Sequence, residues 1–355
     1  MVVRAALSRS LNLAIDDSAW EQASLPVRWG GLGVRSVAAL STSAFLASRA
    51  ASQELLRTIL PSEVLAHPDT YSSEARRLWD MDGGIAPVVA ARQQGWDDAL
   101  CNARALKLRV GATPSSTARL LAGCSEGSGS WLHALPSASV GLRLSNEEAR
   151  IAAGLRLGAP IVRPHTCRCG QSVLADGVHG LSCKKSAGRH LRHALANDVI
   201  ARGFRSADTP ADLEPTGLLR GDGKRPDGAT RIPWSHGKCL VWDFTCPDTL
   251  APSHILHSST AAGSAAGKAE SGKSVKYGAL APTFDFAPVA IETLGAWGPG
   301  ALALAKDLCS RIASTSGDPR STFFFRQRLD IAVQRGNAVA VRGTVALDSG
   351  MLLDF

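Results

Sequence analysis

The chain has 355 residues, of which 45% are hydrophobic and 20% charged, so it can bury the cores of two or three modest domains. No window holds the roughly 20 uninterrupted apolar residues of a transmembrane helix, so we predict no membrane span. The net charge is +8, and residues 163–205 hold eight Lys or Arg against two Asp or Glu, which favours a polyanionic partner but also fits a solvated surface.

The first 150 residues are predicted to be mostly helical. Apolar residues recur at helical spacing over Leu40–Leu60, where Pro61 ends the pattern, and over Glu74–Trp79 and Gln93–Leu108. Upstream, Leu25–Ser36 contains three glycines in four residues, which predicts a tight turn. The spacing matches neither of the common glycine-rich phosphate-binding motifs, so we interpret this segment as a structural turn.

Two further helices are predicted in the middle of the chain. Ser145 is a good N-cap for a helix that runs to Leu157. Ala187–Arg202 has the pattern of a basic amphipathic helix. The residues expected on its inner face are Leu191, Leu195, Val199 and Ile200.

From Thr209 onward the pattern changes to strands with intervening helices. The predicted strands are Leu213–Pro215, Cys239–Thr245 and Pro288–Leu294. The predicted helices are Ser258–Tyr277, Pro299–Ile312 and Phe323–Val333. Three glycines each weaken the first of these helices by about 1 kcal/mol relative to alanine, so we expect it to lean on packing or to break. The fold class is therefore predicted to be α+β or α/β.

Four side chains that ligate metals lie close together in the sequence. They form the pattern C-x-C-x9-H-x3-C and are Cys167, Cys169, His179 and Cys183. Thiolates and imidazole suit tetrahedral Zn²⁺, and a site with all four positions filled by protein would be structural. The alternative is a set of reduced cysteines beside a chance histidine, with His165 as a further candidate ligand. The other cysteines are scattered, which indicates a reducing compartment, nuclear or cytoplasmic rather than secreted.

Two aspartates and two lysines have the character of a metal-dependent hydrolytic site. Asp227 follows a proline, and Asp243 ends an apolar run, where a half-buried carboxylate needs a partner or a metal. Lys273 and Lys276 lie downstream at helical spacing. Such carboxylates would hold Mg²⁺ or Mn²⁺, with Glu214 as a third, and a lysine would orient water or offset transition-state charge. Taken singly, Asp227 fits an ordinary turn and the lysines fit a solvated face.

Basic residues near both features are candidates for contacts with nucleic acid, because positive side chains position phosphates. Most of them follow the cysteine cluster or lie on the basic helix. The basic candidates are Arg168, Lys184, Lys185, Arg189, Arg192 and Arg225, and Tyr277 is a further candidate.

The order of these motifs resembles the C-terminal part of non-LTR retrotransposon proteins that carry a restriction-like endonuclease. In that family a Cys-Cys-His-Cys knuckle precedes a PD-(D/E)XK-type nuclease, in the order found here. The family motif A-x3-K-x2-K-Y is matched by Ala269, Lys273, Lys276 and Tyr277. Its P-D and its downstream D are matched by Pro226-Asp227 and Asp243.

A second segment extends the resemblance toward the N-terminus. Leu25–Ser36 is similar to the G-G-L-G-[IV]-R-S segment that follows the polymerase palm in such elements. The resemblance covers Leu25–Leu294 and is strongest over Cys167–Tyr277. It implies four regions: 1–150, a mostly helical region like the segment after a palm; 151–206, a zinc knuckle and basic helix; 207–320, a restriction-like endonuclease with a mixed sheet flanked by helices; and 321–355, a C-terminal helix and tail.

The resemblance also implies an activity, which is nicking of one DNA strand at a target site to leave a 3′-hydroxyl. Asp227 and Asp243 would hold Mg²⁺ or Mn²⁺. Lys273 would be the catalytic lysine, with Lys276 in reserve or on a phosphate. The expected partner is DNA, with element RNA and a polymerase-bearing element protein as further partners and no membrane.

Three departures from the family pattern bear on this expectation. The polymerase motif Tyr or Phe-x-Asp-Asp is absent, and the acidic pair in Trp96-Asp97-Asp98 follows the glycine-rich segment, so we expect no reverse transcription. Asp243 is followed by Phe244-Thr245 rather than by x-Lys, so the lysine would come from the later motif. The alternatives are an inactive nucleic-acid-binding remnant and a decayed reading frame.

Overall fold

The computed structural model describes residues 2–218 and 225–345. They form two compact units, one of residues 20–112 and the other of residues 2–19, 113–218 and 225–345. Residues 113–150 and 321–345 therefore belong to the same unit as the cysteine cluster and the main sheet. The fold is mixed α+β, and among the described residues no helix is long and apolar enough to cross a membrane.

The helices and strands are labelled in chain order. The helices are α1 (Val2–Leu11), α2 (Asp17–Ala23), α3 (Val37–Ile59), α4 (Ser62–Leu65), α5 (Thr70–Met81), α6 (Gln93–Arg109), α7 (Pro114–Cys124), α8 (Asn146–Leu157), α9 (His179–Ser182), α10 (Gly188–Ser206), α11 (Ile255–Ser258), α12 (Ser264–Lys276), α13 (Pro299–Ser316) and α14 (Ser321–Arg342). The strands are β1 (His165–Thr166), β2 (Ser172–Val173), β3 (Ala211–Leu213), β4 (Gly228–Thr230), β5 (Leu240–Thr245) and β6 (Asp285–Ala290).

The smaller unit is a helical module built around two tryptophans. Helices α3, α5 and α6 confirm the three helices predicted here. Trp79 and Trp96 pack edge to face with ring centroids 4.8 Å apart, and Leu46 and Leu100 pack beside them. Such aromatic pairs stabilise a small core beyond the effect of the area they bury.

The glycine-rich segment of this unit is a structural turn, as predicted. A Cβ atom on Gly31 would lie 2.0 Å from the carbonyl oxygen of Leu25, so only glycine fits there. The turn places Arg35 next to Asp97. The two carboxylate oxygens of Asp97 each accept a hydrogen bond from the guanidinium group of Arg35. The next residue, Asp98, accepts from Arg28 and from the indole of Trp29. The Asp97-Asp98 pair thus has a packing role in this unit.

We expect Arg35→Lys to destabilise the smaller unit by roughly 3 kcal/mol, because an ammonium group cannot replace the bidentate guanidinium contact and Asp97 is buried. Chemical denaturation followed by tryptophan fluorescence measures this change. The matched control is Arg57→Lys, whose exposed pair with Glu54 on α3 is expected to change stability by less than about 0.5 kcal/mol. Equal effects of the two substitutions would contradict the prediction.

The main sheet belongs to the larger unit and has the order β3-β4-β5-β6 in the described part of the chain. The β3–β4 and β4–β5 pairs are antiparallel, and the β5–β6 pair is parallel. Parallel neighbours need a crossover connection, which α11 and α12 supply. The link between β4 and β5 is a hairpin closed by a bridge between Ser235 and Lys238.

Alternation along β5 places different chemistry on the two faces of the sheet. Leu240, Trp242 and Phe244 pack into the core formed with α10, α13 and α14. Val241 lies in a second cluster with Tyr277, at the end of α12. Asp243 follows Val241 by two residues, so its carboxylate shares the face of the sheet that α12 covers.

Two boundary predictions for this region were inaccurate. Strand β3 ends at Leu213, and Glu214 adopts a positive φ of 51°, which breaks a strand. Strand β6 begins at Asp285, earlier than predicted. The helix predicted over Ser258–Tyr277 is broken at Gly263, which has a φ of 75°, in agreement with the expectation that its glycines weaken it. The strand predicted over Cys239–Thr245 is confirmed by β5.

Helix α14 is central to the larger unit and continues to Arg342, well beyond the predicted end at Val333. It packs along α10, where a Cβ atom on Gly336 would lie 1.8 Å from Cγ of Arg192. Arg192 therefore occupies the space that the glycine leaves. The residues of α10 that are buried here include Arg192, Ala196, Ile200 and Phe204. The predicted inner face is confirmed for Ile200, which is buried, and for Val199, which packs against the core while half-buried. Leu191 and Leu195 are only half-buried.

A buried carboxylate on α14 connects this helix to the loop after α7. Asp330 is fully buried and accepts a hydrogen bond of 2.9 Å from the backbone N–H of Ser130. Burial raises the pKa of Asp330 to about 7, although the N–H groups of Trp131 and Ser130 and the charge of Arg156 act in the opposite direction. Between about pH 4 and pH 7, the carboxyl group of Asp330 therefore carries a proton in the folded protein but has lost it in the unfolded chain.

This pKa shift predicts a pH dependence of stability. Because the folded-state pKa is raised, the contribution of Asp330 is fully present below the unfolded pKa and is lost as the pH rises toward 7. Relative to Asp330→Asn, the unfolding free energy of the wild type should fall by roughly 3 kcal/mol between pH 5 and pH 8. Denaturant titrations of both proteins at these two pH values measure the difference. Parallel pH profiles would contradict the prediction.

Candidate functional sites: a cysteine-histidine cluster and an acidic-lysine cluster

The four predicted zinc ligands meet in space. The ligand atoms of Cys167, Cys169, His179 and Cys183 all lie within 4.8 Å of one another. The Sγ atoms of Cys167 and Cys183 are 3.7 Å apart, and Sγ of Cys169 is 3.2 Å from Nε2 of His179. Three thiolates and one imidazole at these separations are the donor set of a structural Zn²⁺ site, so this cluster could hold a zinc ion.

Short elements hold the ligands in place. The β1–β2 hairpin presents Cys167 and Cys169, and the turn between its strands passes through Gly170 at a φ of 90°. Helix α9 begins with His179 and is followed directly by Cys183. His165 is engaged elsewhere, since its ring nitrogens contact the carbonyl of Arg163 at 2.8 Å and the hydroxyl of Thr344 at 3.0 Å. The candidate zinc ligands are therefore the four residues of the cluster and do not include His165.

The basic residues near the cluster divide into an exposed set and a buried one. The side chains of Arg168, Lys184, Lys185 and Arg189 are exposed. Arg192 is 2% exposed and donates to Oδ1 of Asn337 and to the carbonyl of Leu181. Its expected role as a phosphate contact does not fit this position, because packing against Gly336 draws it into the core.

Asp227 lies immediately before β4 and is held by contacts from two other elements. Its backbone N–H donates to the carbonyl of Trp242 at 3.0 Å, which places it beside β5. Its Oδ2 atom accepts from the backbone N–H of Phe244 at 2.6 Å and lies 2.9 Å from Nε2 of His193 on α10. The Pro-Asp pair is therefore not an isolated surface turn.

Asp243 faces the two lysines of α12, as the motif predicts. The exposed fraction of its side chain is 3%, and its Oδ1 atom forms an ion pair with Nζ of Lys273. Nζ of Lys276 is 3.9 Å from Oδ2 of the same carboxylate. A carboxylate this deeply buried needs positive partners, because desolvation of an unpaired charge costs several kcal/mol.

The carboxylate of Asp227 is electrostatically connected to this pair. Burial by itself would raise the pKa of Asp227, but the hydrogen bond and charge of His193 and the N–H of Phe244 bring it below its ordinary value. The hydrogen bond with Asp227 raises the pKa of His193, against the effect of burial, and the charges of Asp243 and Lys273 also act on this imidazole. Four ionisable groups from α10, β5, α12 and the start of β4 thus form one cluster, which we call the acidic-lysine cluster: His193, Asp227, Asp243 and Lys273.

Two buried glutamates fix the helix that carries the lysines. Glu270 accepts backbone N–H groups from Ala290 on β6 and from Gly300 and Ala301 at the start of α13, at 2.8 to 3.0 Å. Glu292 accepts the N–H groups at the start of α12, from Ala265 and Ala266. Burial raises the pKa of both glutamates. Lys273 lies one turn after Glu270 on the same helix. The hydrogen bonds of Glu270 therefore also position the side chain of Lys273 beside β5.

Two other candidate residues, Glu214 and Tyr277, do not have the contacts that the sequence predicts for them. Glu214 has a largely exposed carboxylate that pairs with Arg225, so the expected third acidic ligand is turned to solvent by the positive φ at this residue. Tyr277 is fully buried, which does not fit a direct contact with nucleic acid. Its hydroxyl donates to the carbonyl of Arg225 at 2.9 Å and accepts from Lys276 at 2.8 Å. The motif tyrosine therefore ties the end of α12 to the backbone that leads into Asp227.

Two members of this site, His193 and Asn197, were not predicted from the sequence. Both lie on α10, within the predicted basic helix. Asn197 is 5% exposed, accepts from the indole N–H of Trp242 at 3.0 Å and places its Nδ2 atom 3.3 Å from Nδ1 of His193. The spacing of four residues puts both on one face of α10, which is the only sequence signal that links them.

Neither the known protein-family models nor the curated proteins provide a match for this chain.

Proposed function

We propose that this protein is a metal-dependent DNA endonuclease of retroelement origin that nicks one strand of its target. The observation that carries the proposal is the acidic-lysine cluster. Asp243 pairs with Lys273, and the charges of both aspartates act on His193, whose Nε2 atom is 2.9 Å from Oδ2 of Asp227. The order and types of Asp227, Asp243 and Lys273 match the nuclease motif that the chain resembles. A mixed sheet flanked by helices supports the proposed restriction-like fold.

The residues of the acidic-lysine cluster have separable roles in this proposal. Asp227 and Asp243 would hold Mg²⁺ or Mn²⁺, since hard cations prefer carboxylate oxygens. The bound cation would polarise the phosphate and acidify a water molecule. Lys273 neutralises Asp243 in the resting protein and would offset charge on the phosphate during cleavage. Lys276, which is more exposed, would contact a neighbouring phosphate.

Binding of the substrate is assigned to the surface beside the cysteine-histidine cluster. Arg168, Lys184, Lys185 and Arg189 are exposed there, and α10 leads from Arg189 to His193 within about one turn. Positive side chains along such a path would position a DNA backbone without reading its sequence. Zinc would act only by ordering this surface.

A nucleic-acid-binding protein without catalysis is the second candidate function. It is favoured by the internal partners of both carboxylates, because Asp243 forms an ion pair with Lys273 and Asp227 lies 2.9 Å from Nε2 of His193. Conversion of supercoiled plasmid to the nicked form in Mg²⁺ separates the two functions. Nicking by the wild type that Asp243→Ala abolishes supports the nuclease, and equal nicking by both proteins excludes it.

A further inference from the structure

A buried hydrogen-bonded chain connects the core of the sheet to Asp227. The indole Nε1 of Trp242 is 3.0 Å from Oδ1 of Asn197, and both residues are buried. An indole N–H can only donate, so the atom of Asn197 that faces it must be the amide oxygen. The orientation of this amide, which is otherwise ambiguous in protein structures, is therefore fixed by Trp242.

The fixed orientation has a consequence for the other end of the amide. Its nitrogen, with two N–H donors, must face the opposite side, where Nδ1 and Nε2 of the His193 ring lie 3.3 and 3.5 Å away. Hydrogen bonding by Asn197 also favours the charged form of the Asp227 carboxylate. His193 in turn places Nε2 at 2.9 Å from Oδ2 of Asp227. Oδ2 is held further by the N–H of Phe244, so the carboxylate is fixed from α10 and from β5.

We propose that Asn197, oriented by the indole of Trp242, is a positioning residue that holds Asp227 and His193 so that Asp227 offers its Oδ1 atom to a divalent cation. The inference rests on the proposed nuclease function, because it assigns Asp227 as a ligand. Trp242 directly precedes Asp243, and its carbonyl accepts the backbone N–H of Asp227 at 3.0 Å, so this residue of β5 also contacts the backbone of Asp227. Hydrogen-bonded partners behind a metal ligand orient it, and their loss typically weakens metal affinity 10- to 100-fold.

The test measures binding of Mn²⁺ to the zinc-loaded full-length protein, with no substrate present. Binding is followed by the decrease in the EPR signal of free Mn²⁺. Asn197→Leu keeps the size of the side chain but removes the amide. Trp242→Phe keeps an aromatic ring in the core but removes the N–H that orients the amide. We expect each variant to weaken Mn²⁺ binding roughly 10- to 100-fold. Trp234→Phe, in the same core, is the matched control and should change binding less than about 2-fold.

The double variant distinguishes positioning from a general loss of structure. If Trp242 acts through Asn197, Trp242→Phe should have no further effect on Mn²⁺ binding in the Asn197→Leu background, although both substitutions lower the melting temperature. Additive losses of Mn²⁺ affinity would overturn the proposal, because they would show independent effects on the core.

The same experiment separates this inference from the proposed function. Mn²⁺ binding that Asp227→Asn leaves unchanged would refute the metal site and both proposals with it. Binding that depends on Asp227 but is unaltered by Asn197→Leu and Trp242→Phe would refute the positioning role alone.

Discussion

Asp243→Asn is expected to reduce the rate of Mg²⁺-dependent nicking at least about 100-fold, which corresponds to about 2.7 kcal/mol of activation free energy. The side chain keeps its shape, so β5 should remain in place. The charge that would hold the cation is lost, and with it the strongest electrostatic partner of Lys273. Raising the Mg²⁺ concentration should recover part of the rate, because the remaining carboxylate still attracts the ion. Initial rates of plasmid nicking over a Mg²⁺ titration measure both effects.

A matched variant on the same sheet provides the control for this result. Asp212 on β3 has an exposed carboxylate paired with Arg231, away from the acidic-lysine cluster. Asp212→Asn removes the same charge and should leave the rate within about 2-fold of the wild type, since exposed ion pairs contribute little. A loss of similar size in both variants would show that net charge, rather than the acidic-lysine cluster, governs cleavage.

The partner of Asp243 gives a second comparison within the same assay. Lys273→Gln removes a positive charge that competes with a cation for the carboxylate. We therefore expect the maximal rate to fall without an increase in the Mg²⁺ concentration needed for half-maximal activity. Asp243→Asn should raise that concentration. Opposite responses to Mg²⁺ would separate a cation ligand from a residue that stabilises transition-state charge.

The features that the sequence predicted well are those set by local chemistry. Cys167 and Cys183 are close in the chain, and a hairpin and one helical turn suffice to bring their ligand atoms together. The apolar run before Asp243 has few alternatives to a buried strand, so β5 was predicted correctly. Lys273 was placed at helical spacing by its motif, and the structure brings it to Asp243.

The features that the sequence could not predict depend on partners far along the chain. The inner face of α10 was predicted to be formed by Leu191, Leu195, Val199 and Ile200, and Ile200 is buried there. The absence of a side chain at Gly336 also admits Arg192, which was expected to contact phosphates instead. Nothing near α10 in the sequence indicates a glycine more than a hundred residues away. Local hydrophobic periodicity therefore predicted the helix and part of its inner face, but not the burial of Arg192.

The carboxylates of the site illustrate the same limit. Glu270 lies between small residues of α12 and carries no motif, yet it accepts three backbone N–H groups that fix the helix. Glu214 was predicted to lie within the first strand and to complete the acidic set, yet it follows the strand at a positive φ and its carboxylate is largely exposed. An acidic side chain can bind backbone N–H groups or face a functional site. Which of the two occurs depends on which backbone N–H groups lack another partner, and only the complete fold determines this.

Loss of zinc is expected to unfold the segment around the cysteine-histidine cluster and to weaken the packing of α14. Structural zinc contributes on the order of 10 kcal/mol in small finger peptides, and the β1–β2 hairpin and α9 are too short to be stable alone. Cys183→Ser should abolish stoichiometric zinc binding, measured by elemental analysis. Hydrogen exchange should then rise over β1, β2 and α9.

The effect should extend to the end of α14, because that helix is built against the cluster. A Cβ atom on Gly180 would lie 2.7 Å from the carbonyl of Ala340, and Arg168 donates to the carbonyl of Gly343. Cys239→Ser is the control, since this cysteine lies outside the cluster and should leave one zinc ion bound per chain. Hydrogen exchange at the end of α14 that stays at the wild-type rate in zinc-free Cys183→Ser would contradict this coupling. Removal of zinc should also disorder the exposed basic surface and so weaken DNA binding. The ion pair between Asp243 and Lys273 should persist, so the two clusters can be tested separately.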